Sequence, residues 1–256
     1  MLTSLLLVSQ LLLMSDRASF WDPDNISDQT QQDTSSLQQE IQGKNVLLLV
    51  HGYNETAEDA LSRYRLINTN LSTSAYDYVI GYLWPAYDDA WDYFKAKHHA
   101  KELSKTMRSH LEFFANSAAK LDVLAHSMGN FLMLEALDYH IHDHKKLVQN
   151  FFALAPAVDN ESIEKKEKYY QSTKNCGNLF IFYSQRDDVL KWGYNVAELD
   201  RALGYEGAEH PDQLPKNVHL MDYTNYVDGH SGYFTFLPIY DFIKNQFFSQ
   251  SPIKIH

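Results

Sequence analysis

Short apolar runs recur along the chain from residue 46 onward, and longer amphipathic segments separate them. A continuous run such as 46–50 (Val-Leu-Leu-Leu-Val) is typical of a strand buried on both faces, as in a parallel sheet. Other segments place apolar side chains at steps of three and four, which predicts helices with one buried face. The pattern predicts strands at 46–50, 78–83, 121–125, 151–155, 179–183 and 218–223, and helices at 55–71, 94–115, 130–138, 160–170 and 238–248.

The order of these elements predicts the fold class. Strands alternate with helices through most of the chain, which is typical of an α/β fold with a mostly parallel central sheet and helices on both faces. Right-handed crossovers bring the carboxyl ends of such strands to one edge of the sheet, where ligands bind. Functional residues are therefore expected directly after the strands.

The first 43 residues differ from the rest. Residues 2–14 are apolar-rich, but this segment is too short to span a bilayer. A secretory signal begins with a basic residue, whereas no basic residue precedes Arg17 here. We expect a leading strand near 11–14 and a polar arm after it, which predicts a cytoplasmic protein. The alternative is a signal within residues 1–20 and an exported protein. The expected division is an N-terminal strand and arm, 1–43, followed by an α/β domain, 44–256.

Charge and cysteine content exclude several functions. The net charge is −11, from 22 Lys and Arg against 33 Asp and Glu. Nucleic acids and anionic membranes repel so acidic a chain, so we expect neither nucleic-acid binding nor stable membrane insertion. The single cysteine, Cys176, excludes an intrachain disulfide and a cysteine-based zinc site. Its polar neighbours indicate a turn rather than a nucleophile.

Residues 125–129, Ala-His-Ser-Met-Gly, link a predicted strand to a predicted helix. A serine in such a tight turn is held in a strained conformation at the sheet edge, and the flanking Ala125 and Gly129 are as small as the turn demands. The following helix directs its free N–H groups toward the serine, which favours a developing negative charge. Ser127 is therefore the predicted nucleophile, and an ordinary helix-capping serine is the alternative.

A nucleophilic serine needs a histidine base and an acid that orients it, in the chain order serine, acid, histidine for this kind of fold. The strand at 179–183 leads to two acids, and we prefer Asp187 because Asp188 is placed to cap the next helix. His230 follows the last predicted strand on a glycine-flanked loop. His210 is a weaker competitor for the role of base.

Backbone N–H groups are expected to form the oxyanion hole. One belongs to Met128, directly after the nucleophile, and the other to Tyr53, in the turn after the first buried strand. Gly52 lets that turn approach the substrate, and the Asn54 side chain is expected to orient it. Four residues are predicted to contact substrate, with core packing an equal alternative for the two aromatic ones: Gly52, Asn54, Trp84 and Tyr87.

Two charged segments have simpler interpretations than a binding site. Histidines and an aspartate cluster at 140–144 with a spacing that allows a metal site, but a solvated helix end is favoured. The charge run at 161–168 indicates a solvated helix face, too short and too polar for a large lid. No metal and no cofactor are predicted.

Six motifs occur in an order that resembles a known family. They are VHGYN from residue 50, WP from 84, LAHSMGN from 124, LAPAVD from 154, YSQRD from 183 and GHS from 229. Together they resemble a bacterial family of α/β-hydrolases catalogued as a domain of unknown function and described as hypothetical serine esterases. The resemblance runs from about residue 44 to 248.

The resemblance implies a triad of Ser127, Asp187 and His230. It also implies an early strand followed by a turn, which residues 15–17, Ser-Asp-Arg, match. The chain departs from the family pattern at Gly232, which separates the GHS motif from the aromatic residue after it.

Residues and resemblance together predict a serine hydrolase that cleaves a small-molecule carboxylic ester through an acyl-enzyme intermediate. A short or medium acyl chain is expected, because the charged run offers no apolar face for a lipid interface. The alternatives are a thioesterase or acyltransferase, a catalytically silent binding module on the same fold, and a metal-dependent hydrolase. No oligomeric state is predicted.

Overall fold

The computed structural model describes residues 10–19, 21–26, 35–71, 75–87, 89, 91–138 and 146–249. The strands in this part of the chain are β1 Gln10–Ser15, β2 Asn45–Val50, β3 Tyr78–Leu83, β4 Lys120–His126, β5 Val148–Leu154, β6 Cys176–Tyr183 and β7 Val218–Asp222. They form one parallel sheet in the order β1-β3-β2-β4-β5-β6-β7. The predicted fold class is confirmed.

Helices cover both faces of this sheet. The α-helices of the described residues are α1 Ser35–Ile41, α2 Ala57–Leu71, α3 Tyr93–Ser117, α4 Met128–Asp138, α5 Asn195–Glu198, α6 Leu203–Glu206 and α7 Leu237–Ser249. Helices α3 and α4 pack on one face, and α2 and α7 on the other. None of these helices is long and apolar enough to cross a membrane.

Strand β2 shows why its apolar run is continuous. Val46, Leu48 and Val50 join the core beneath α3 and α4, whereas Leu47 and Leu49 join the core beneath α2 and α7. All five are at most 1% exposed. Burial of each such side chain contributes about 1.5–3 kcal/mol, so both cores fix the strand and the loop that follows it.

The N-terminal segment belongs to the sheet. Strand β1 pairs in parallel with β3, as the leading-strand interpretation expected. The prediction of a polar arm after this strand holds only in part. Asp16 and Arg17 are buried, and helix α1 places Ile41 in the core. The Asp16 carboxylate accepts hydrogen bonds from Tyr82 Oη and His110 Nε2, which ties β1 to β3 and α3.

The helix predicted at 160–170 is wrong. These residues form consecutive turns closed by bonds such as Glu164 N–H to Glu161 O, and Lys166 has a φ of 79°, which ends any helix. The charge run is also only partly solvated, since Glu164 is buried and ion-paired with His210. With turns here and a short 3₁₀ helix at Ser172–Asn175, the chain between β5 and β6 adds no cap domain.

Candidate active site

Ser127 occupies the turn between β4 and α4 with a φ of 53°, in the left-handed region that side chains rarely adopt. The turn is closely packed: a Cβ on Gly129 would lie 2.4 Å from His51 O, and one on Gly52 would lie 2.9 Å from Ser127 Cβ. A side chain is therefore sterically excluded at Gly129, as predicted, and at Gly52. The serine sits at the carboxyl edge of the sheet with its backbone fixed from both sides.

His230 and Asp187 meet at the same edge. His230 Nδ1 lies 2.7 Å from Asp187 Oδ2, and the carboxylate is fully buried. Because a carboxylate only accepts, Nδ1 carries the proton and Nε2 is left as the basic nitrogen. Gly229, at a φ of 69°, donates its N–H to Arg186 O and so joins the two loops.

The two neighbouring acids differ in a way that corrects one prediction. Asp187 Oδ1 accepts the Leu190 N–H at 3.0 Å, so Asp187 caps the following turn as well as holding His230. Asp188 is exposed and makes no capping hydrogen bond, so the cap predicted for Asp188 is wrong.

The serine and the histidine are neighbours without a direct hydrogen bond. Within the described part of the chain, no bond joins the Ser127 hydroxyl to His230. The rings of His230 and His126, the residue before Ser127, are 4.5 Å apart, and His126 Nε2 lies 2.9 Å from His230 O. A hydrogen bond between a catalytic serine and its histidine is often long in unliganded hydrolases and tightens when substrate binds.

The competing residues lie elsewhere. His210 is paired with Glu164 at 2.9 Å, and His219 stacks on Phe180 in the sheet. Cys176 is buried, and burial raises the pKa of its thiol to about 12, which suits a core residue. The 140–144 cluster lies outside the described residues. Among the described residues, no group of three His, Cys, Asp or Glu side chains could hold a metal.

The loop after β2, residues 51–56, carries the second predicted oxyanion donor. Neither the Tyr53 nor the Met128 backbone N–H donates to any described residue, as expected for Met128 at a helix start. The Asn54 N–H donates to Ala86 O, and the Asn54 side chain is exposed. The backbone of Asn54, rather than its side chain, therefore anchors the loop.

His51 is the buried centre of this loop. Its Nδ1 donates to Gly52 O, and its Nε2 accepts from Trp84 N and faces Arg17 Nη2 at 3.3 Å. Burial, together with the Arg17 charge and despite the opposing charge of Glu55, lowers the pKa of His51 to about 4. The Trp84 ring stacks on His51 and donates from Nε1 to His51 O. Sequence reasoning missed this role of His51, because Arg17 and Trp84 are distant along the chain.

The predicted pocket aromatics take different positions. Trp84 is completely buried, so of its two alternatives the structure gives it the core position. Tyr87 is half-buried, with its ring against His99 and Lys95 of α3. Tyr53 Oη donates to Asp89 O, and its ring meets Tyr93 edge-on.

A cleft of about 410 Å³ lies beside α4. Phe131, one helical turn beyond Ser127, forms part of its wall, and the Lys97 and Lys168 ammonium groups lie 5.2 and 6.0 Å from the centre of that ring. None of the four predicted substrate contacts lines it. The lining residues are Phe94, Lys97, His98, Lys101, Phe131, Glu135, Val158, Asp159, Glu161, Ser162, Glu167, Lys168, Tyr169 and Tyr194.

Two segments beside this cleft expose large apolar side chains. One leads into α3 and includes Trp91, which is 91% exposed; the other follows β6 and includes Leu199, which is 90% exposed. An ion pair of 2.7 Å between Lys97 and Glu198 joins the segments. We call this surface the apolar rim; its other members are Phe94, Trp192 and Val196.

A strained serine after a central strand, with an acid and a histidine following it along the chain at one sheet edge, defines the α/β-hydrolase class. The sequence belongs to the family described as alpha/beta hydrolase of unknown function (DUF900), whose profile matches residues 27–226. No curated protein matches the sequence.

Solved structures with low sequence identity are also similar. The esterase Pf2001 of Pyrococcus furiosus is 14% identical at a TM-score of 0.47, over 81% of this chain and 83% of that one. Est1E of Butyrivibrio proteoclasticus is 12% identical at 0.41, over 80% and 89%. A fungal esterase from Rhizomucor miehei is 13% identical at 0.43, over 85% and 75%. These likenesses are too weak to transfer a substrate.

Proposed function

We propose that the protein is a serine hydrolase that cleaves a carboxylic ester through an acyl-enzyme intermediate. The observation that carries this proposal is the hydrogen bond between buried Asp187 and His230 beside the strained Ser127. A binding module would have no need of a buried, oriented acid–histidine pair behind a serine turn.

The chemistry follows from the roles these residues would take. Ser127 Oγ attacks the ester carbonyl while His230 Nε2 takes its proton, and the Asp187 carboxylate stabilises the imidazolium. The carbonyl oxygen becomes an oxyanion that the Tyr53 and Met128 N–H groups stabilise. The C–O bond to the alcohol then breaks as His230 returns the proton to the leaving oxygen. Water repeats the sequence on the acyl-enzyme and releases the acid.

We assign the acyl chain to the cleft beside α4, whose wall includes Phe131 one helical turn beyond Ser127, and infer a short or medium chain. Its wall places Lys97, Lys168 and Glu135 around the Phe131 ring, which leaves little uninterrupted apolar surface for a long chain. Each buried methylene contributes about 0.8 kcal/mol, so the rate should rise with chain length only until the apolar part of the cleft is filled.

The test is kcat/KM on nitrophenyl esters from acetate to palmitate, with and without an emulsified interface. The proposal expects an optimum at short or medium chains, no gain at the interface and no loss with a chelator. Activity that climbs to palmitate and rises at the interface would contradict the substrate class and assign the apolar rim to lipid docking. Loss of activity with a chelator would favour a metal-dependent hydrolase.

A further inference from the structure

A buried polar cluster behind Ser127 connects the two loops on which the proposed chemistry depends. Its central members are Glu55, in the loop after β2, and His126, the last residue of β4; each is 3% exposed. The loop after β2 carries the Tyr53 N–H. The second, residues 223–236 between β7 and α7, carries His230 and is called the histidine loop here.

The Glu55 carboxylate holds the loop after β2. Its Oε1 accepts Arg63 Nη1 at 2.6 Å and the Gly52 N–H at 3.4 Å. Burial alone would raise the pKa of Glu55, but His126 and His51 in their protonated forms, together with the Arg63 charge, outweigh burial and lower that pKa to about 2. Glu55 is therefore a carboxylate over the working pH range, and it fixes the amide directly before the proposed oxyanion donor.

His126 holds the histidine loop. Its Nε2 lies 2.9 Å from His230 O, and because a carbonyl only accepts, this nitrogen carries the proton. Burial, followed by the charge of His230, lowers the pKa of His126, so its ring stays neutral near neutral pH. The unprotonated Nδ1 lies 3.9 Å from Glu55 Oε1 and has no hydrogen-bond partner among the described residues.

An aromatic side chain of the histidine loop completes the cluster. The Phe234 ring meets the His126 ring edge-on at 4.8 Å, and the Arg63 guanidinium lies over the Phe234 ring at 5.1 Å. Arg63 therefore contacts both the acid that holds one loop and the aromatic ring that anchors the other. The positions of the two loops are coupled through this cluster.

We propose that Glu55 and His126 are positioning residues, which set the oxyanion N–H and the base against Ser127 from behind. Glu55 acts through the Gly52 amide and His126 through the His230 carbonyl. This inference rests on the proposed function. Displacement of a catalytic group by about 1 Å can cost about 100-fold in rate, so the effect belongs in kcat rather than in substrate binding.

The experiment compares kcat and KM on nitrophenyl acetate, with the rate of fluorophosphonate labelling, in Glu55→Gln, His126→Met and His126→Gln. We expect kcat to fall about tenfold or more in Glu55→Gln and His126→Met, with KM within about threefold. His126→Gln should recover most of the rate, because a glutamine amide can donate to the His230 carbonyl from a similar position.

Glu164→Gln is the matched control, since Glu164 is another buried, histidine-paired glutamate and lies outside the cluster. It should keep the wild-type kcat. If Glu55→Gln does not fold, Arg63→Met is the alternative, because it removes the ion pair with Glu55 at a side chain that is 30% exposed. This variant should also lower kcat while KM stays within about threefold.

Two results would overturn the inference while leaving the proposed function intact. One is wild-type kcat in folded Glu55→Gln and His126→Met. The other is a His126→Gln variant as slow as His126→Met, since rate would then follow packing alone. A wild-type protein that neither hydrolyses the ester nor reacts with the fluorophosphonate would instead overturn the proposed function, and the inference with it.

Discussion

The backbone of Ser127 is strained, and the packing around it keeps the strain in place. A non-glycine residue at a φ of 53° costs about 1–3 kcal/mol, which a structure retains only where its neighbours leave no alternative. Gly52 and Gly129 provide that constraint, because each lies too close to its neighbours to accept a Cβ. The strain is therefore kept in the tight turn at the carboxyl edge of the sheet, the edge at which Asp187 holds His230.

Gly52→Ala tests this close approach. The new Cβ would lie 2.9 Å from Ser127 Cβ and 3.2 Å from His126 Nδ1, so the loop after β2 must shift away from the serine. We expect kcat/KM to fall about 100-fold with the fold retained. The matched control is Gly193→Ala, where a Cβ meets nothing within 4 Å. Equal rates in the two variants would show that the loop does not need its present position.

Asp187→Asn tests the identity of the acid. The asparagine keeps an oxygen for the Leu190 N–H, so the turn survives, but it loses the charge that stabilises the imidazolium. We expect kcat/KM to fall on the order of a thousandfold or more, whereas the exposed Asp188→Asn should stay within about threefold of wild type. The reverse ranking would transfer the role to Asp188.

At the scale of single residues, the sequence predicts the positions that follow strands and misses those that depend on distant partners. Ser127, Asp187 and His230 lie on the segments that follow the predicted strands 121–125, 179–183 and 218–223, so parallel topology brings them to one edge. Glu55 has no such signal, and the position of His126 after the predicted strand 121–125 does not show its role, because the partners of both residues come from other elements.

At the scale of elements, continuous apolar runs were reliable guides because a strand buried on both faces has a short and distinctive pattern. The helix prediction for segment 160–170 fails because the charges there indicate a solvated helix face. In the structure Glu164 is buried against His210, and the backbone turns at Lys166. Helix α1 was missed because its seven residues carry few apolar positions.

Tyr82→Phe tests how β1 is held to the rest of the sheet. It removes one donor from the buried Asp16 carboxylate and leaves His110 as the remaining side-chain donor seen there. We expect the free energy of unfolding in urea to fall by about 1–3 kcal/mol. Tyr226→Phe, at a 66% exposed tyrosine, should leave it unchanged. No difference between the two variants would show that this bond does not stabilise the edge of the sheet.

For the whole molecule, His51 predicts a loss of stability in weak acid. Burial lowers the pKa of His51 from 6.5 to about 4. At a pH between these two values, the histidine is protonated in the unfolded chain and neutral in the folded chain. Its contribution is intact above pH 6.5 and falls by about 3 kcal/mol as the pH drops to 4.

The measurement is the free energy of unfolding in urea at several pH values from 7.5 down to 4. The slope between pH 6.5 and 4 should be shallower in His51→Gln and unchanged in His98→Gln, whose side chain is 68% exposed. An unchanged slope in His51→Gln would contradict a neutral, buried His51.

The nucleophile itself is tested most directly by mass spectrometry of the protein after reaction with a fluorophosphonate. The proposed function predicts one adduct, on the peptide that contains Ser127, and no adduct or ester turnover in a folded Ser127→Ala variant. An adduct on another residue, or undiminished turnover by Ser127→Ala, would contradict the assignment of Ser127 as the nucleophile.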